Sequence, residues 1–441
     1  MSTRGASLNR DILRLAVPAF GALVAEPLFL LVDSALIGHL GVAPLAGLGI
    51  AGAVLQTIVG LMVFLAYSTT PAVARRFGAG QHGSAVSAGI DGMWLALGLG
   101  FALAVLGYFA TPGLVGLFGA DPAVSADAET YLGISMWGLP AMLIVFAATG
   151  LLRGMQDTVT PLWIAGVGFA TNALLNALFI YGFGWGIAGS AAGTVVAQWG
   201  MVAAYVAVVG RLARRHSAAV GLRRDTMSST ARAGGWMFLR TVSLRAALLA
   251  TVAAATALGT EELAGWQVAF TLFSTAAFAL DALAIAAQAL VGKGLGAGDT
   301  ALVRRVLGRT VAWGVWFGVL VGAGIAASSG VIGLVFTSDP AIAALIQPAL
   351  LVLAVAQPMC GVVFVLDGVL IGAGDARYLA LAGVANLVPF VPALLIVLWV
   401  GATGSAGLAW LAVTFFGVYM AARLVTLGWR VRGARWMTAG A

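Results

Sequence analysis

Charge is what this chain is short of. Only 9% of its 441 residues are Asp, Glu, Lys or Arg, against about 25% in ordinary soluble domains, which excludes a soluble globular fold. Cysteine occurs once, as Cys360 inside an apolar run, so there is no disulfide framework. Histidine occurs three times, at the scattered positions His39, His82 and His216, which gives no metal-ligand spacing. The stretch GKGLGAG (292–298) lacks the GK[ST] ending and the preceding strand of a phosphate loop. Neither cofactor nor metal is expected, and ATP hydrolysis is not indicated.

What is present is hydrophobicity: 61% of residues, with a mean hydropathy of +1.03. Apolar runs of roughly 20 residues, the length that crosses a hydrocarbon core of about 30 Å, lie near 13–37, 46–70, 90–111, 130–151, 161–182, 187–210, 234–257, 266–290, 309–330, 345–371, 378–400 and 405–427. The expected fold class is an all-α polytopic membrane protein with twelve transmembrane helices. Sixty glycines suit such a bundle, because small residues let lipid-embedded helices approach closely. Arg4, Arg10 and Arg14 precede the first run, as in a signal peptide, but that run holds Glu26, Asp33, Pro18 and Pro27 and is too long for an h-region, so it reads as a retained span.

Basic residues set the orientation. The odd-numbered turns (38–45, 112–129, 183–186, 258–265, 331–344, 401–404) contain no Lys or Arg, whereas the even-numbered ones and the 211–233 connection carry Arg75, Arg76, Arg153, Arg214, Arg215, Lys293, Arg304 and Arg377, among others. The positive-inside rule then places both termini in the cytoplasm. The basic pI is thereby explained by topology, without a nucleic-acid partner.

A single shift of the chain on itself, carrying position 118 onto 336, aligns FGADPA (118–123) with FTSDPA (336–341), GLLRGMQD (150–157) with GVLIGAGD (368–375) and GIAG (186–189) with GSAG (404–407). Because one offset serves several separated blocks, the chain reads as a duplication. The expected lobes are residues 1–210 and 234–427, six helices each, with a basic linker at 211–233 and a basic tail at 428–441. An even number of spans per repeat makes the two lobes parallel (6+6), which is a transporter architecture.

Against that repeat, some intramembrane polar residues stand out. Under the shift Asp33 pairs with Thr251, Glu26 with Leu244, Asn172 with Phe390, Asn176 with Leu394 and Thr194 with Ala412, so this polar cluster belongs to the N-lobe alone. An ionised carboxylate at membrane depth costs roughly 2.5–3.5 kcal/mol even on lenient insertion scales, so it faces a cavity or a partner, or holds a proton. Glu26 and Asp33 are two turns apart on one helix face, and Asn172 and Asn176 share a face at i, i+4. Pro18 and Pro27 make the first span a candidate hinge. Further on, Asp281, Asp367 and Arg245 are secondary candidates. Arg240 is expected to snorkel to the cytoplasm, and Arg245, near mid-span, to need Asp281 or Asp367 as its partner.

The stretches EPLFLLVDSALIGHLG (26–41), GLLRGMQDTVTP (150–161) and NALLNALFIYGFGWGIAGSAAGT (172–194) resemble the multidrug and toxic compound extrusion (MATE) family in its DinF-like branch, and the resemblance covers essentially the whole chain. It implies proton coupling at Asp33, a pocket involving Tyr131, Asn172, Asn176 and Thr194, and a hinge at Pro18. The resulting expectation is a monomeric antiporter of the inner (plasma) membrane that exports amphipathic, cationic organic compounds in exchange for protons. The alternatives are sodium coupling and a lipid-linked-precursor flippase. The flippase is disfavoured because intramembrane acids outnumber the arginines of span 7. An integral-membrane enzyme would need a clustered nucleophile or His/Asp motif, and none is visible.

Overall fold

In the computed structural model the backbone is described for residues 2–336 and 340–440. The side chains at 2–6, 26, 224–230, 335–336 and 340–342 lie outside the described residues, and with them the FTSDPA segment named above and Glu26.

Among the described residues, twelve helices are long and apolar enough to cross a membrane, and no strand occurs. They are α1 Ser7–Gly38, α2 Val42–Gly78, α3 His82–Gly116, α4 Pro122–Gly154, α5 Val159–Gly182, α6 Gly186–Arg215, α7 Ala231–Leu258, α8 Thr260–Gly296, α9 Thr300–Leu334, α10 Ala343–Gly372, α11 Ala376–Val400 and α12 Gly404–Arg432. Helices prevail because a bilayer offers the backbone no water, and an α-helix satisfies its amides within one segment. Helix α1 runs unbroken through Pro18 and Pro27. Many large apolar side chains point outward, Phe109, Trp163, Val355 and Trp399 among them, the pattern expected of a surface solvated by lipid.

Backbone chemistry sets the turns. Left-handed or otherwise positive φ angles occur at Gly41 (133°), Gly80 (76°), Gln156 (68°) and Gly186 (58°), and again at Gly259 (158°), Gly298 (73°), Gly374 (71°) and Gly404 (67°). Seven of these eight are glycine, the residue that takes such angles without steric cost. The shift that aligns the sequence blocks carries each position of the first set onto its counterpart in the second. The GLLRGMQDTVTP stretch is one of these turns. After Gln156 the Asp157 carboxylate accepts from the amides of Val159 and Thr160 at 3.1 and 3.0 Å and from the Thr160 hydroxyl at 2.6 Å, which satisfies donors left open at the start of α5.

The chain divides into two compact units, residues 17–234 and residues 2–16 with 235–440. In the first, one apolar cluster gathers Ile37, Ala51, Val115, Tyr131, Leu132, Met136, Ile180 and Ile187. Another gathers Val73, Val86, Leu151, Leu152, Tyr205 and Val209. In the second unit a run of aromatic contacts joins Trp266, Phe270, Phe273, Phe415 and Phe416.

Candidate functional site

Asp33 projects from α1 into the first unit and is buried, 3% exposed. Asn176 Nδ2 of α5 donates to its Oδ1 at 2.7 Å and Ser190 Oγ of α6 donates to the same oxygen at 2.8 Å. Tyr131 Oη of α4 donates to Oδ2 at 3.3 Å. Asn176 Nδ2 also reaches Ser190 Oγ at 3.3 Å. Four helices therefore converge on one carboxylate, and these hydrogen-bond partners are all neutral. None of the ion pairs among the described residues involves Asp33.

The approach of α6 to α5 is what makes this possible. A Cβ on Gly193 would sit 2.2 Å from Asn176 Oδ1 and 3.0 Å from the Asn176 amide nitrogen, so only glycine lets the amide stand in this position. Asn172, one turn earlier on α5, is also buried, and its Oδ1 and the Oδ1 of Asn176 have no hydrogen-bond partner among the described residues. Asn172 thereby adds an acceptor on the same α5 face. Thr194 lies on α6 beside the Tyr131 hydroxyl.

Of the residues singled out from the sequence, Asp33, Tyr131 and Asn176 are brought into direct contact. Ser190 is the member that sequence reasoning missed. It lies inside the quoted 172–194 stretch, one turn before Thr194 on the same helix face, and that spacing was the available signal. The repeat-related positions in the second unit are of another kind. Leu394, Phe390, Leu408 and Ala412 are buried and apolar, and the Thr251 hydroxyl bonds Ala247 O of its own helix at 2.8 Å.

The arginines of α7 behave differently from expectation. Arg240 does not snorkel: it is 7% exposed, its Nε donates to Asp367 Oδ1 of α10 at 3.2 Å, and its Nη2 is paired with Oδ2 of the same carboxylate. Arg245 lies on an exposed part of α7, and Asp367 is not its partner. Five residues on an α-helix turn the side chain by about 140°, so 240 and 245 address different surroundings. A second arginine unnoticed in the sequence, Arg423 of α12, also reaches Asp367. Asp281 is half-buried on α8. Among the described residues no group of three or more His, Cys, Asp or Glu side chains is placed to hold a metal ion.

Twelve apolar helices, with a carboxylate buried in the first unit that has no ion-pair partner among the described residues, define an integral membrane protein of the transporter type. The MatE family model matches residues 18–178 and 238–395, and the chain belongs to this family. It is 28% identical to Protein DETOXIFICATION 44, chloroplastic, of Arabidopsis thaliana, over 96% of this chain and 82% of that protein. It is likewise 28% identical to DNA damage-inducible protein F of Escherichia coli K12, over 98% and 95%, and 29% identical to Multidrug resistance protein MdtK of Edwardsiella ictaluri, over 83% and 82%. The solved structure of the Vibrio cholerae MATE transporter VcmN in the bent form superposes with a TM-score of 0.87 at 20% identity, covering 98% of both chains. The relatives in family and fold are MATE transporters, and the chain is a membrane-spanning member of that group.

Proposed function

We propose that the chain exports amphipathic, cationic organic compounds in exchange for protons by alternating access, with Asp33 as the exchanging carboxylate. The carrying observation is that Asp33 is buried among Asn176, Ser190 and Tyr131 with no basic partner among the described residues. A buried carboxylate without a countercharge is strongly disfavoured, so it holds either a proton or a cation. Competition between those two is the exchange reaction: each ligand removes the energetic reason to bind the other. The names of the relatives, multidrug resistance protein and DETOXIFICATION, favour an organic compound as the cation.

In this reading the unpaired Oδ1 of Asn172, with Tyr131 and Thr194, supplies polar contacts to the compound, Glu26 is a second proton carrier on α1, and Pro18 is the hinge that lets α1 move. The protein works as a monomer in the inner (plasma) membrane with both termini cytoplasmic. Internal duplication with lobes 1–210 and 234–427, linker 211–233 and tail 428–441 is supported by the four pairs of positive φ angles, from Gly41 with Gly259 to Gly186 with Gly404, which obey the same shift as the sequence blocks.

Purified protein in liposomes tests the reading. With an imposed pH gradient, wild type is expected to drive a cationic dye uphill, and Asp33→Asn to insert and fold but fail to do so. The pH dependence of dye affinity should flatten in Asp33→Asn, because a group that cannot titrate cannot transmit proton concentration. Uphill transport driven by a sodium gradient alone would replace the proton. Wild-type export and pH dependence in Asp33→Asn would reduce Asp33 to a packing residue.

A further inference from the structure

The second unit contains a polar cluster that the exchange reaction does not use. Arg240, Asp367 and Arg423 are each under 9% exposed. The guanidinium of Arg240 holds Asp367 through both carboxylate oxygens. Arg423 is far less well served. Its Nη2 reaches Oδ2 of Asp367 at 3.4 Å, an oxygen already taken by Arg240, and its Nη1 reaches only the thioether of Met420 at 3.8 Å. Its guanidinium carbon stands 6.0 Å from the Phe364 ring centre. A buried guanidinium ordinarily finds strong acceptors, and a bidentate oxyanion is the one its planar fork fits best.

A second group points the same way. Tyr419 lies one helical turn before Arg423, is 1% exposed, and its hydroxyl has no hydrogen-bond partner among the described residues. It stands within electrostatic reach of Arg423, Arg240 and Asp367, and its ring is fixed against Phe390 and Phe415 at 5.2 and 5.5 Å between centroids. Burying a hydroxyl without a partner costs free energy, and it can donate to an acceptor shared with Arg423. The backbone supports an unusual local surface: Val413–Tyr419 is a π-helical stretch, a widening often found where helices build sites.

We propose that Arg423 and Tyr419 form a binding site for a single oxyanion group, a carboxylate or a phosphate ester, within the 235–440 unit. The Asp367 carboxylate does not make this a cation site, because Arg240 occupies both of its oxygens; it orients Arg423 instead. A halide would leave the guanidinium fork half used, so the site prefers planar or tetrahedral oxyanions. The cluster lies five residues from the end of α10 at Gly372 and nine from the end of α12 at Arg432, roughly 8 to 14 Å along the helix axes at 1.5 Å per residue. Beside those ends lie Arg377 at the start of α11, Arg432, and Arg430, the last paired with Asp375 at 2.6 Å; the remaining positive charge draws anions toward the cluster. Such a group can arrive on a membrane lipid or as a free anion.

The test uses the purified full-length chain in detergent, with unfolding followed by tryptophan fluorescence at fixed pH and ionic strength. Inorganic phosphate, methyl phosphate and acetate are expected to raise the unfolding temperature above that in chloride. Arg423→Gln should weaken the half-saturating concentration by about tenfold or more, and Tyr419→Phe, which keeps the ring contacts, by about threefold, as expected for losing a charge-assisted and a neutral hydrogen bond respectively. Arg245→Gln removes the same charge from an exposed position of the same unit and should leave the anion response at wild type. To separate the sources, protein is extracted from vesicles of phosphatidylcholine with phosphatidylglycerol and its retained lipid is measured by mass spectrometry. Selective loss of phosphatidylglycerol in Arg423→Gln or Tyr419→Phe identifies a lipid phosphate, and loss of the soluble-anion response identifies a free anion. If Arg423→Gln does not fold, Tyr419→Phe decides. Responses in the folded variants equal to wild type, or no preference over chloride together with unchanged lipid retention, would overturn the proposal.

Discussion

Asn176 Nδ2 stands 2.7 Å from Asp33 Oδ1 only because residue 193 has no side chain. Gly193→Ala should therefore act on the carboxylate without touching it, since the new methyl would force Asn176 away. Export by Gly193→Ala is expected to fall to the level of Asn176→Ala, and the double variant to be little worse than either. Non-additivity of this kind is the mark of two residues in one network. Efflux in liposomes checks it; additive losses would mean that the two changes act separately.

The one-sided placement of the polar residues leads to a second expectation. Ser190→Ala removes the 2.8 Å bond to Asp33, and hydrogen bonds to charged groups contribute about 1.5–3 kcal/mol, so this variant should alter the pH profile of export. At the repeat-related position, Leu408→Ala opens a cavity in a fully buried site and should lower stability by about 2–5 kcal/mol while leaving the profile of the folded protein unchanged. Equal changes in the two profiles would sink the idea that the carboxylate site occurs once.

Arg240 and Arg245 differ in what they hold. Arg240→Ala leaves the Asp367 carboxylate with only its 3.4 Å contact to Arg423, and breaking a buried pair costs about 3–5 kcal/mol. Arg245→Ala, at an exposed mid-span position of α7, should not destabilise the fold, because it breaks no buried pair and removes a charge that costs roughly 2.5–3.5 kcal/mol at membrane depth. Unfolding in a denaturing detergent series compares the two, and a reversed order would assign the stabilising pair to Arg245 instead.

Two turns offer a test of backbone strain. Gly80 and Gly298 have φ angles of 76° and 73°, and nothing lies within 4 Å of an added Cβ at either. Ala at either site should cost about 1–2 kcal/mol from conformation alone. Gly98→Ala has the same open space but lies inside α3, where alanine is favoured by up to about 1 kcal/mol. Thermal unfolding should move in opposite directions for the turn and helix substitutions.

Topology is checked by reporter fusions at residues 120 and 218. The absence of Lys and Arg from the odd-numbered turns predicts residue 218 on the cytoplasmic side and residue 120 on the opposite one; the same side for both would sink the topology, and the two sides exchanged would sink the orientation.

Much of this molecule was legible in one dimension. Helices in a bilayer must be long, apolar and internally hydrogen-bonded, so the twelve runs read from the sequence correspond to the twelve helices, although the helices extend further, as Pro122–Gly154 does beyond 130–151. Asp33 was legible because an acid inside such a run stands against a uniform background, and Asn176 because its i, i+4 spacing with Asn172 marks one polar helix face. Ser190 was hidden because serine is common among the small residues of membrane helices, and its importance comes from the distance to Asp33 alone.

The arginines show where sequence stops. Composition determined that the chain spans a membrane, and the spacing of basic residues led to an expected orientation, since both depend only on transfer free energy and on charge counted along the chain. Which arginine pairs with Asp367 depends on the rotation of α7 about its axis and on how close α10 and α12 approach, a difference of about 140° between positions 240 and 245 that packing alone resolves. The same holds for the Asp33 site: its partners lie 98 to 157 residues away in sequence on three other helices, and contacts at that separation are decided by side-chain complementarity in the folded unit, where Gly193 admits Asn176 and a single carboxylate gathers its partners.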